Sequence, residues 1–274
     1  KTNEYGTGES HQLRLSLEKM SGKDLNWFFN QWYFGSGHPK ISYTTTFEPI
    51  KKQLKLTVSQ DQLGGNFQFP LALDIYENGK PTRQTVWVNA KEKNDFTFNV
   101  TKNPDFININ ADGVLLAEFT DKKTPENYLT QYTTSKDFLS RYRAVENAAE
   151  NASKNASSLK TLTSALKDSN FRIRMKALSG LDLSKADQAK VALGDVEKMA
   201  SNDAKTLVQA AAISALAKTK NRKYLPIFEK GMSAVSNAVK ASSLAAISAV
   251  DPSRVASLAD KIDLEGAGDE LIAK

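Results

Sequence analysis

The chain has no cysteine and only two histidines, His11 and His38, in 274 residues. The first absence excludes disulfides and thiolate metal sites and leaves the compartment open. The second leaves a metal centre short of ligands, because a zinc site needs several His, Cys, Asp or Glu side chains that converge. Neither histidine has a second one four residues away, the spacing a zinc-peptidase helix requires. His11, near Glu9 on a helix, and His38, beside Pro39, therefore read as packing or hydrogen-bonding residues. Long apolar runs are missing too: no stretch of about 18 apolar residues occurs, so no helical membrane span is expected. Nor is there a Gly-x-Ser-x-Gly elbow or a Walker-type phosphate loop. Charge of one sign is never concentrated. The net charge is +6, and the densest basic runs are Lys51-Lys52 and Lys122-Lys123. A nucleic-acid face gathers its charge on one tract, so the lysines read as solvated surface and no nucleic-acid partner is expected. Carboxylates such as Asp260 and Asp263 read as solvent-side helix charges rather than an acid–base pair. The sequons at Asn99, Asn151 and Asn155 are the kind a chain rich in asparagine and serine yields by chance. No catalytic, cofactor-binding or metal-ligating residue is assigned.

What is present falls into three stretches. Residues 9 to 34 read as helical. Leu13, Leu17 and Met20 fall three and four apart. Ser21 with Asp24 has the spacing of a capping box, in which hydroxyl and carboxylate satisfy free backbone N–H groups. Leu25, Phe28, Phe29 and Trp32 then form an apolar stripe at helical spacing, expected to be a core that locks helix to sheet. Gly35 and Gly37 stop the helix and Pro39 fixes an extended exit.

From about residue 40 to 119 the period is two. Ile41, Tyr43, Thr45 and Phe47 alternate with polar neighbours, as do Leu54, Leu56 and Val58. Phe67, Phe69, Leu71, Leu73 and Ile75 continue the pattern, followed by Val86 and Val88, then Phe96, Phe98 and Val100. Phe106, Ile107 and Ile109, and then Val114 to Phe119, complete it. Turn residues separate the runs at Gly64-Gly65, Asn78-Gly79, Asn94-Asp95, Asn103-Pro104 and Asp112-Gly113. About seven short strands with one face buried are best satisfied by a two-sheet sandwich.

Beyond Pro125 the chain turns helical and alanine-rich, and it repeats. Asp168, Asp203 and Asn237 are spaced by 35 and 34 residues, as are Ala177, Ala212 and Ala246. Leu178, Ile213 and Ile247 keep the same rhythm. Arg143 through Ala148 reads as an earlier, degenerate copy. A polar cap followed by an alanine- and leucine-rich helix at this period suits paired helices stacked into a solenoid. A plain helical bundle is the simpler alternative.

Ser21-Gly22-Lys23-Asp24-Leu25, then Trp27-Phe28-Phe29-Asn30-Gln31-Trp32, then Gly37-His38-Pro39, resembles the end of the catalytic domain in the aminopeptidase N family of zinc metallopeptidases. That family carries a Gly-x-Asp-Leu-x-x-Phe-Phe-x-x-Trp helix there, followed by Gly-x-Pro leading into a strand. The resemblance is specific over about residues 9 to 41 and architectural beyond. It implies a multidomain α+β chain in three parts. Residues 1–38 would be the last helices of a catalytic domain, 39–120 a fibronectin-like β-sandwich, and 121–274 an all-α domain of HEAT-like repeats.

The family's His-Glu-x-x-His zinc motif, its Gly-x-Met-Glu-Asn loop and its transition-state tyrosine have no counterpart here. The resemblance therefore gives no residue of this sequence a catalytic or zinc role, and no cofactor is expected in this chain. Zinc is implied for the parent enzyme alone. A start at Lys1, without initiator methionine or signal peptide, fits an excised or processed piece of a larger protein. The expectation is the non-catalytic C-terminal part of an enzyme that releases N-terminal residues from peptides. It would space the domains and wall the peptide cavity. Its partners would be the parent's catalytic domain and peptide substrates. The alternative is a stand-alone HEAT-like interaction scaffold without peptidase activity. For compartment, the resemblance leans to a bacterial periplasm or cell envelope without fixing it.

Overall fold

A computed structural model describes residues 6–255; the Asp260 and Asp263 pair lies outside them. The described residues form a mixed α+β structure with ten α-helices and two small sheets, neither closed into a barrel. They divide into two compact units. Among the described residues, one comprises 6–74, Arg83–Asn103 and Asp112–Lys122; the other comprises Ile75–Thr82, Pro104–Ala111 and 123–255.

The first unit opens with α1 (Ser10–Ser21). Glu9 caps it: its side chain takes an N–H from the first turn while Gln12 reaches back to the Glu9 N–H at 3.0 Å. Gly22 stops it in the left-handed region at φ 68°, where a side chain would be strained. The reciprocal cap expected of Ser21 and Asp24 does not form. Ser21 still belongs to α1, and its hydroxyl donates to the Leu17 carbonyl at 2.7 Å. Asp24 alone accepts the Asn26 N–H at 2.8 Å, which starts α2 (Asn26–Phe28). This short helix runs straight into a π-turn over Phe29–Tyr33, so the aromatic stripe does not keep the 3.6-residue period. The stripe is only partly a core: Phe29 is buried, Leu25 and Trp32 are half-buried and Phe28 is exposed.

The strands are β1 (Lys40–Glu48), β2 (Gln53–Gln60), β3 (Phe69–Glu77), β4 (Lys80–Val88), β5 (Lys93–Asn99), β6 (Phe106–Ile109) and β7 (Glu118–Thr120). The orders are β5-β2-β1-β7 in one sheet and β4-β3-β6 in the other. Alternation sets the register of the first sheet. Leu54, Leu56, Val58 and Gln60 are all buried; Leu54 faces Phe98 and Leu56 faces Phe96 on β5, with Phe47 and Thr45 opposite them on β1. Asn78 and Gly79, at φ 53° and 71°, make the two-residue hairpin loop that their sequence calls for.

One turn and one strand assignment change. Asn94 and Asp95 lie inside β5, and the turn is at residues 89–92. Buried Asn94 closes that turn from within: its Oδ1 accepts the Asn89 N–H at 3.0 Å and its Nδ2 donates to the Asn89 carbonyl at 3.2 Å. The run from Val114 to Phe119 is a strand only over Glu118–Thr120. β1 offers β7 just three partners, Lys40 to Ser42, in parallel pairing, so Val114 and Leu116 stay outside the ladder, 80% and 73% exposed.

The second unit holds α3 (Pro125–Thr134), α4 (Phe138–Asn151), α5 (Ala156–Ala165), α6 (Phe171–Gly180), α7 (Ala186–Asn202), α8 (Thr206–Ala217), α9 (Leu225–Met232) and α10 (Asn237–Val250). Side chains of Thr124, Asp137, Asn155 and Asn170 cap α3 to α6, each satisfying N–H groups that a helix start leaves free. Odd and even helices alternate as pairs: α4 packs on α6, α6 on α8 and α8 on α10, with α3 on α5 beside them. The seventh residue of each even helix, Ala144, Ala177, Ala212 or Ser243, is fully buried. Helix starts thus make Ser243, not Ala246, the equivalent of Ala177 and Ala212, because α9, with 8 residues, is shorter than α7, with 17. Small side chains bring backbones close: a Cβ on Gly180 would sit 2.5 Å from the Ala149 Cβ. The β6 segment is tied in as well, with Asn108 donating to the Ser140 hydroxyl at 2.7 Å and Arg143 to the Asn110 carbonyl at 3.2 Å.

Candidate functional site

Within the first unit, a groove of about 600 Å³ runs between the glycine-flanked exit of the π-turn and the loop after β2. Gln31, the Gly35–Lys40 segment, the 61–66 loop and Phe67 form its walls. Two glutamines hold the loop. Gln31 clamps the Gln68 backbone, Nε2 donating to its carbonyl at 2.9 Å and Oε1 accepting its N–H at 2.8 Å. Gln60, 3% exposed, donates to the Phe67 carbonyl at 2.7 Å and accepts the Phe67 N–H at 2.8 Å. A buried amide that has both its donor and its acceptor satisfied fixes the backbone it binds. Trp32 lies against Phe67 with ring centroids 5.3 Å apart, and Trp27 meets Trp87 edge-on at 5.2 Å. The aromatic stretch is therefore anchored on β4 through Trp87 and on the segment before β3 through Phe67, while Phe28, Tyr33 and Phe34 remain exposed.

The basic side chains at the groove, His38 and Lys40, share one carboxylate. His38 Nε2 lies 2.6 Å and Lys40 Nζ 3.3 Å from the Glu118 carboxylate. The His38 hydrogen bond, with Lys40 behind it, holds the Glu118 carboxyl below the usual carboxylate range. His11 faces Glu9 at 3.3 Å. Each histidine thus has one carboxylate neighbour, and among the described residues no three His, Asp or Glu side chains converge. That donor set does not fit zinc. The groove's geometry can support binding by hydrogen bonds and by contact with Leu63 and Phe67.

Sequence reasoning read Gly64-Gly65 as a turn between strands, and it lies in the loop after β2 with Gly64 at φ 105°. It missed Gln31 and Gln60. The signal for Gln60 was available: it continues the inward set of Leu54, Leu56 and Val58. The sequon asparagines have local roles or exposure. Asn155 caps α5, Asn151 donates to the Asn147 carbonyl at 2.9 Å, and Asn99 ends β5 on the exposed side. No helix among the described residues is long and apolar enough to cross a membrane.

The sequence matches no protein family and no curated protein. Its fold is similar to that of Legionella pneumophila aminopeptidase A, solved in complex with aspartic acid, with a TM-score of 0.59 at 15% identity. The similarity covers 98% of this chain and 35% of that one, so the chain spans about a third of the solved protein's length.

Proposed function

We propose that the chain is the non-catalytic C-terminal part of a zinc aminopeptidase that releases N-terminal residues from peptides. The observation that carries this reading is the fold shared with an aminopeptidase over 98% of the chain at 35% of the other protein's length. The order of aromatic helix, strands and paired helices supports it, as does the Asp24 to Trp32 motif. In this reading the two sheets are a fibronectin-like sandwich that spaces the domains. The paired helices are HEAT-like and wall the peptide cavity. The parent's catalytic domain supplies the zinc ligands and is this chain's partner. The parent acts in a bacterial periplasm or cell envelope.

The test is peptide hydrolysis by the purified chain, with and without added zinc. No release of N-terminal residues is expected, and sustained zinc-dependent release would overturn the reading. Sequencing the gene upstream of the codon for Lys1 separates the alternative. A His-Glu-x-x-His motif there is expected; its absence would favour a scaffold without peptidase activity.

A further inference from the structure

We draw no further inference here: the strongest candidate, the exposed apolar face of the first helix formed by Leu13, Leu17 and Met20, carries nothing because nothing in the structure shows what covers it.

Discussion

Arg174 on α6 holds Asp203, at the entrance to α8, through two nitrogens: Nε lies 3.0 Å from Oδ2 and Nη2 2.8 Å from Oδ1. The same guanidinium donates through Nη1 to the Asp168 carbonyl at 2.8 Å. One pair earlier, Arg141 reaches Asp168 at 3.0 Å in the same way. Each arginine is the fourth residue of its helix, so a single sequence position ties one helix pair to the loop of the next. Tyr132 also donates to Asp168 at 3.1 Å, and burial, with this carboxylate alongside, pushes its phenol pKa well up. The linkage is polar and geometrically specific, whereas alanine packing alone would let neighbouring pairs slide.

Removing one partner should therefore cost more than removing both. Both side chains are largely buried, at 13% and 8% exposed. Asp203→Ala leaves a buried guanidinium without its counter-charge and should lower unfolding free energy by about 3 kcal/mol. Arg174→Met combined with Asp203→Leu should recover at least half of that loss. Urea unfolding followed by far-ultraviolet circular dichroism measures both. A double variant as unstable as Asp203→Ala would show that the pair is not what holds the loop.

The π-turn makes neighbouring phenylalanines unequal. Phe29 is 2% exposed and Phe28 42%. Phe29→Ala should cost about 3–4 kcal/mol through lost transfer energy and a cavity, whereas Phe28→Ala should cost under about 1 kcal/mol. Thermal unfolding of the two single variants separates them. Equal losses would mean that the regular helical stripe, not the π-turn, describes this segment in solution.

Period-two alternation made strands such as β2 legible, because one face is buried and a slip by one residue would reverse every side chain; β3 and β6, buried on nearly both faces, were legible from their apolar runs. It failed at Val114 and Leu116, whose apolar character is not matched by any free strand edge. Composition also revealed the alanine-rich helices, while the Arg174–Asp203 pairing stayed hidden because its partners lie 29 residues apart. The same limit applies to the groove. Gln31 and Gln68, separated by 37 positions, meet only once the π-turn has rotated Gln31 toward the loop. Nothing in the local pattern signals a π-turn: the Asp24 to Trp32 spacing suits a plain α-helix equally well.

Acid should weaken a contact in the second unit at Glu197. Tyr224 donates to its Oε1 at 2.6 Å. That hydrogen bond, with Lys223 adding to it, lowers the glutamate pKa below its ordinary value of 4.5. A carboxylate held lower in the folded state adds stability above its unfolded pKa and loses it as pH falls through the folded one. Stability contributed by Glu197 should thus be complete at neutral pH and decline below about pH 4.5. Glu197→Gln keeps an acceptor for Tyr224 but cannot titrate, so the difference between wild type and variant should shrink as pH drops from 6 to 3. A difference that stays constant over this range would remove Glu197 from the acid response.

Ser243 and Gly231 form a contact whose two halves should be non-additive. The buried Ser243 hydroxyl has no hydrogen-bond partner. Ser243→Ala removes an unsatisfied polar group from the α9–α10 packing and should raise stability by about 1 kcal/mol. On α9, a Cβ added at Gly231 would lie 2.0 Å from the Ser243 Oγ but 3.1 Å from its Cβ. Gly231→Ala alone should therefore destabilise by about 2 kcal/mol or more through overpacking. In the Ser243→Ala background the methyl meets only a tight but tolerable neighbour, and most of that loss should disappear. A double-mutant cycle by chemical denaturation gives the coupling directly, with an interaction energy of about 1–2 kcal/mol expected. Additive changes would mean that α9 and α10 can move apart to admit the extra methyl, and that the close approach of the two helices does not set their packing.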